Sequence, residues 1–225
     1  MSNYLETIYF RNETGENGYP QKLCDYLIDR FSITNNYSLL DIGCGKGNHL
    51  IGFNRRGIRV KGIDRFFSET IQDYDISLCN IEQDYFPFED ESFDVIFSKS
   101  VIEHVSNADN FFEESFRVLK EGGIAIILTP DWNSQYKYFW DDYTHKKAWS
   151  RKSLQNVMRI KGFNQVKCEH FLQLPIVWKY PWLKYVCRVI SLLPDSLRWK
   201  DSKEEIFRKY IRFSKEKMLL AIGVK

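Results

Sequence analysis

The chain has 225 residues, of which 44% are hydrophobic and 28% charged, with a formal net charge of +2 at pH 7. That length suits one α/β domain with a full core and crowds out a second, while the near-neutral charge argues against a polycation built for nucleic acid. Five cysteines, at positions 24, 44, 79, 168 and 187, form no CxxC pair and are odd in number, which argues against a disulfide framework or zinc knuckle and fits a reducing cytoplasm.

The polar opening MSNYLETIYFRNETGENG has no apolar core of signal-peptide length. No stretch approaches the roughly 20 apolar residues of a membrane-spanning helix. The expected setting is therefore cytoplasmic, with a peripheral contact to the inner membrane left open. After residues 1–18, Leu23, Tyr26, Leu27 and Phe31 recur at helical spacing, so an amphipathic helix is expected from Pro20 until Asn35 and Asn36. Residues 37–42 read as a short buried strand that runs into Gly43, Gly45 and Gly47.

Asn48–Arg56 suits a helix closed by Gly57. Strands are expected over 58–63, 75–79, 93–98 and 124–129, with a helix over 108–120 stopped by Gly122 and Gly123. A further helix over 152–161, closed by Gly162, precedes strands over 163–173 and 216–224. Strands alternating with helices imply a mostly parallel, Rossmann-like α/β sheet of seven strands. Helices cover both faces, and the last strand is antiparallel. The expected organisation is a lead-in over 1–36, a core over 37–173, a helical insertion or lid over 174–213 and a final strand over 214–225. The insertion carries Trp178, Tyr180, Trp182, Tyr185 and Trp199 among Lys179, Lys184, Arg188, Arg198 and Lys200. It reads as packing on the sheet edge, a substrate lid, a surface for a second copy, or an interfacial membrane contact through 176–200.

A glycine-rich turn after the first strand lets a ligand approach the backbone. Asn48 stands where a dinucleotide fingerprint would place its third glycine. Asp41 precedes the turn, where a ligand ammonium group could be recognised. Asp64 ends the second strand about 20 residues on, where a carboxylate accepts from ribose hydroxyls and repels a 2′-phosphate. S-adenosylmethionine has such an ammonium; NAD has a pyrophosphate instead.

Leu39–Gly47, Lys61–Asp64, Cys79–Glu82 with Phe86–Asp94, Ser98–Val105 and Phe116–Gly123 together resemble the class I S-adenosylmethionine-dependent methyltransferase family. The resemblance runs from about Tyr37 to Phe163. It implies that Gly43, Gly45 and Gly47 surround the sulfonium and ribose, that Asp64 binds the ribose, and that Asn80 and Ile81 meet the adenine. Asp41, Cys44, Arg65 and Ser98 complete the implied cofactor set. The family usually has Asp at position 80; an Asn carbonyl still accepts from the adenine amino group.

Methyl transfer from a sulfonium is an in-line displacement. The protein must mainly hold the acceptor and, for a hydroxyl, remove a proton. His is the natural base near neutral pH. Of His49, His104, His145 and His170, His145 is the first candidate and His104 the second, because both lie in loops at the carboxyl ends of strands. His49 is expected beside the cofactor or partly exposed, and His170 in a structural role. The segment Thr144-His145 to Trp149 is similar to ubiquinone-pathway catechol O-methyltransferases and to glycan methyltransferases of bacterial surface clusters. Small-RNA 2′-O-methyltransferases ligate a metal through a Glu-x-x-Glu-His pattern and a later His. Glu103, His104 and His145 match it, but Ser100 replaces the first Glu, so no metal is expected. The sequence therefore favours O-methylation of a small molecule or a glycan or lipid-linked sugar intermediate. The alternatives are RNA 2′-O-methylation and a catalytically silent cofactor-binding module.

Overall fold

Strand β1 (Ser38–Ile42) shows how the molecule is layered. Leu40 and Ile42 face one apolar core, and Leu39 faces another. The same alternation recurs in β4 (Phe93–Lys99), with Ile96 on one side and Val95 and Phe97 on the other. Strands buried on both faces belong to a sheet covered by helices on both sides. The computed structural model describes residues 18–66, 72–198 and 205–225. Residues 1–17 of the lead-in and residues 199–204 of the insertion lie outside the described residues.

Helix α1 (Tyr19–Phe31) starts with Pro20 in its first turn and lays Leu23, Leu27 and Ile28 on the Leu39 side. Helix α2 (Asn48–Asn54) springs from the glycine turn and adds Phe53 to that core. Strands β2 (Arg59–Asp64) and β3 (Ile76–Leu78) follow. Helix α3 (Asp109–Val118) leads into β5 (Leu119–Pro130), and a single turn, α4 (Trp132–Gln135), follows it. Helix α5 (Arg151–Ile160) begins with a reciprocal cap between Ser150 and Ser153 and precedes β6 (Asn164–Phe171). Phe111 and Phe112 of α3 and Leu154 and Met158 of α5 fill the opposite core.

The sheet order is β3-β2-β1-β4-β5-β7-β6. The first five strands run parallel, and β7 (Met218–Val224) runs antiparallel to both β5 and β6. Strand order reverses between β1 and β4, which places a crevice at their carboxyl ends. All five thiols are buried and free.

One expected boundary is corrected. The helix over 108–120 ends at Val118, and the glycines interrupt a strand rather than stop a helix. Leu119 pairs with Phe93, and Lys120 Nζ reaches Asp94 at 2.9 Å. Gly122, at φ 74°, and Gly123 exchange backbone hydrogen bonds with Lys225. The ladder thus claims backbone groups that helical periodicity alone assigns to α3.

The segment before β7 folds as α6 (Pro175–Lys179), α7 (Leu183–Ile190), a 3-10 turn (Asp195–Arg198) and α8 (Glu205–Lys215). Leu174, Val177 and Cys187 form its own small core with Leu183, Tyr210 and Phe213. Trp178 anchors it to α1. Its ring stacks on Tyr26 at 5.0 Å and on Phe171 at 5.2 Å, and its Nε1 donates to Leu172 O. No helix among the described residues is long and apolar enough to cross a membrane.

Candidate active site

At the β1–β4 crevice lies a cavity of about 540 Å³, within the usual size range of small-molecule sites. A second hollow of about 430 Å³ sits around Ser38, Arg59 and Phe93, at the amino ends of the strands. Ligands of open α/β sheets bind at the carboxyl ends, so the first cavity is the candidate site.

Its floor at one end is the turn Gly43–Lys46. Gly43 has φ 74°, and a Cβ there would meet Val101 Cγ2 at 2.4 Å, so only glycine lets the loops after β1 and β4 close on each other. Gly45 has φ 54°, and a Cβ there would meet no atom within 4 Å. The space above it is open for a ligand. Gly47, at φ 74°, starts α2.

Asp64 accepts from Gly45 N–H at 2.8 Å and Phe66 N–H at 3.0 Å, one bond to each carboxylate oxygen. A carboxylate has about four acceptor positions, so capacity remains for hydroxyl donors. Asp41 is buried beneath the turn, and its Oδ2 has no partner among the described residues. Burial, with the Asp64 charge adding to it, pushes Asp41 up to about 8. A buried orphan acceptor is costly without a cation or donor to meet it. Cys44 also lines the cavity, its thiol held protonated by burial.

Arg65, Cys79 and Ile81 form the next wall. Arg65 pairs with Glu82 at 3.6 Å, and Glu82 also takes Lys146 at 3.3 Å, so one carboxylate ties both sides of the rim. Asp41 and Gly47 lie beneath or beyond the turn and do not line the cavity, and two more sequence candidates stand apart from it. Asn80 does not line the cavity, and its side-chain carbonyl accepts from Glu82 N–H at 3.2 Å. Ser98 is buried under the floor and donates to Ile42 O at 3.0 Å. Both are spent on local backbone in this conformation.

The other end of the cavity is built by the loops after β4 and β5. Ser100 takes a left-handed conformation, φ 57°, a strained choice for a non-glycine residue that turns the chain sharply after β4. His104, Tyr143, Thr144 and Lys146 form the wall there. Thr144 Oγ1 lies 2.9 Å from His104 Nδ1 and donates to Asp142 Oδ1 at 2.6 Å. The hydroxyl has one proton, and the carboxylate takes it. His104 Nδ1 must therefore carry its own proton, which leaves the lone pair of the neutral ring on Nε2. Burial and the neighbouring His145 lower the pKa of His104. Burial works to raise Asp142, but the Thr144 hydrogen bonds and the two imidazoles outweigh it and hold the carboxylate low.

His145 packs behind this wall. Its ring lies 4.3 Å from Phe139 and 4.8 Å from His104, and its Nδ1 meets Phe139 O at 2.6 Å. His145 does not line the cavity. His49 does; burial and Lys99 push it down to about 3, and its buried Nε2 has no partner among the described residues. His170 lies on β6, 3.4 Å from Asp131, well away from the cavity.

Lys99, Tyr143 and Thr144, like Phe66 and Lys146, line the cavity without having been candidates in the sequence. Lys99 ends an apolar strand and looks like an ordinary solvated terminus, yet desolvation lowers its pKa against the pull of Glu103. Glu103 is buried, accepts from Thr129 Oγ1 at 2.9 Å, and is pushed up to about 7 by burial. Its backbone carbonyl accepts from Lys146 and Lys147 N–H, which fixes the Thr144 loop over the turn that carries His104.

Residues 40–127 match the family described as methyltransferase domain. The chain is similar to a sterol 24-C-methyltransferase of Candida albicans, 21% identical over 207 residues that cover 80% of this chain and 53% of that protein. It is 34% identical over 106 residues to a ubiquinone biosynthesis O-methyltransferase of Pelagibacter ubique, covering 42% of each. It thus spans about half, or less, of the length of these curated relatives. Its fold is similar to that of a SAM dependent methyltransferase from Archaeoglobus fulgidus, with a TM-score of 0.65 and 19% identity over 91% of this chain and 94% of that one.

Proposed function

We propose that this chain, whose residues 40–127 match the family described as methyltransferase domain, moves a methyl group from S-adenosylmethionine to an oxygen of a small molecule or of a glycan or lipid-linked sugar intermediate. One observation carries the reading: a single cavity runs from the glycine turn at one end to His104 and Thr144 at the other. Donor and acceptor would share one space.

The residues fit the cofactor. The open space above Gly45 admits a ligand against the backbone. The orphan Oδ2 of Asp41 suits an ammonium group. Asp64 has acceptor capacity for ribose hydroxyls, and Cys79 and Ile81 offer an apolar wall to a base. The bound cofactor supplies a methyl group already activated by its sulfonium charge. The chain's own task is to hold the acceptor in line and to remove its proton.

Of the two imidazoles, His104 suits that task better, because it lines the cavity and its Nδ1 proton is committed to Thr144. Its Nε2 takes the hydroxyl proton, and Asp142, acting through Thr144, stabilises the imidazolium that forms. His145 then positions His104 and does not serve as the base. Tyr143 and Phe66 also line the cavity.

The test is release of S-adenosylhomocysteine on a panel of sugars, phenols and polyprenyl-linked sugars. Turnover on a hydroxyl acceptor that falls at least about 10²-fold in His104→Ala supports the reading. Turnover on amine or carbon acceptors alone refutes O-methylation. A second reading, RNA 2′-O-methylation, draws on Glu103, His104 and His145, whose donor atoms lie within 4.8 Å of one another. Loss of RNA methylation on chelation, restored by Mg²⁺, would favour it. A silent cofactor-binding module would bind and release the cofactor without product.

A further inference from the structure

We propose that the outward face of α7 is a docking surface for an anionic lipid bilayer. The helix has two apolar faces. Leu183 and Cys187 point into the small core of the insertion. On the other side Trp182, Tyr185, Val186, Val189 and Leu192 are 62%, 63%, 42%, 67% and 82% exposed. Their spacing of i, i+3, i+4, i+7 and i+10 puts them in one stripe along a helical surface. The folded chain gains nothing from that stripe, since a merely solvated face would be polar.

The charge beside the stripe says what covers it. Lys184 and Arg188, one turn apart, run along one edge, and Lys179 precedes them on α6. From Leu174 to Pro194 there are three basic residues and not one Asp or Glu. An apolar stripe with Trp and Tyr, edged by Lys and Arg, matches a bilayer interface: rings and aliphatic groups enter the headgroup boundary while cations meet anionic phosphates. A second copy of the chain fits less well, because a two-fold contact would bring two basic edges into one interface. Nucleic acid fits less well too, because Val186, Val189 and Leu192 offer no stacking face.

The surface is coupled to the cavity. Lys137 Nζ lies 3.0 Å from Asp195 at the end of the segment, and Asp195 also takes Lys215 at 2.9 Å. Lys137 belongs to the connection that carries Tyr143 and Thr144, so docking would fix the acceptor end of the cavity relative to the membrane. The inference does not depend on methyl transfer, and its failure leaves that reading intact.

The test is sedimentation of the full chain with phosphatidylcholine vesicles, with and without phosphatidylglycerol. The anionic vesicles should bind at least about tenfold tighter, and the advantage should shrink as salt rises. Val189→Ser with Leu192→Ser should weaken binding about tenfold or more. The melting temperature should hold, because both side chains are exposed. Lys184→Ala with Arg188→Ala should remove the preference for anionic lipid. In the unaltered chain, brominated lipid should quench tryptophan emission, and Trp182→Phe should lose most of that quenching; this readout survives a folding failure of the other variants. Absence of vesicle binding overturns the proposal. So does a concentration-dependent dimer or RNA retention that these substitutions abolish while vesicle binding is unaffected or missing.

Discussion

His104 Nδ1 donates to Thr144 Oγ1 across 2.9 Å, because the threonine's single proton is already given to Asp142. A threonine held by a carboxylate thus fixes one tautomer of a cavity imidazole. It also separates the roles of the two histidines, which are 4.8 Å apart by ring centroid.

The first prediction concerns that tautomer. Burial and His145 push the pKa of His104 below its ordinary 6.5, so the neutral, proton-accepting ring should persist to mildly acidic pH. Titration of the His104 ring by NMR should give a midpoint below 6.5, with nitrogen shifts showing the proton on Nδ1. Thr144→Val should erase the single-tautomer signature. A mixture of tautomers in the unaltered protein would contradict the arrangement.

The second prediction separates two glycines. Gly43→Ala meets both an unfavourable φ of 74° and Val101 at 2.4 Å, so the variant should lose several kcal/mol or fail to fold. Gly45→Ala meets only the φ penalty of about 1 kcal/mol. It should stay folded, yet its new methyl group should occupy space needed by the ligand and weaken S-adenosylmethionine binding. Equal thermal melts for the two variants would undo the distinction.

The third prediction is a pH dependence of stability. Glu103 is pushed up to about 7 from its ordinary 4.5 by burial. Between those values the folded chain keeps a proton that the unfolded chain has released. The stability this contributes is therefore present below about 4.5 and is lost as pH rises through about 7. Glu103→Gln keeps a neutral group beside Thr129 and removes the titration. Its melting temperature should gain on the unaltered protein between pH 5 and pH 8, by about 2–4 °C for each kcal/mol involved. A constant gap across that range would show that Glu103 does not titrate there.

What the sequence disclosed follows the physics of each feature. The places of Gly43, Gly45, Asp41 and Asp64 in the fold were legible because a strand, a tight turn and a second strand end are local patterns with few backbone solutions. The α3–β5 boundary was not, because the pairing of Leu119 with Phe93 joins residues far apart in sequence. The same holds for Thr144 and His104, forty positions apart. Sequence position alone cannot tell that Phe139 draws the ring of His145 away from the cavity wall. Nor can it tell that Asn80 and Ser98 spend their polar atoms on nearby backbone. Lys99 looks like a solvated strand end until the loops fold over it.

The central claim is that the turn at Gly43–Gly47, with Asp64, holds S-adenosylmethionine. Calorimetric titration of the unaltered chain and of Asp64→Ala tests it most directly. The unaltered chain should bind the cofactor at one site. Asp64→Ala should weaken binding about ten- to hundredfold, as expected for lost hydrogen bonds to a charged group. No heat of binding with the unaltered chain, or equal affinity in the two proteins, would contradict the account.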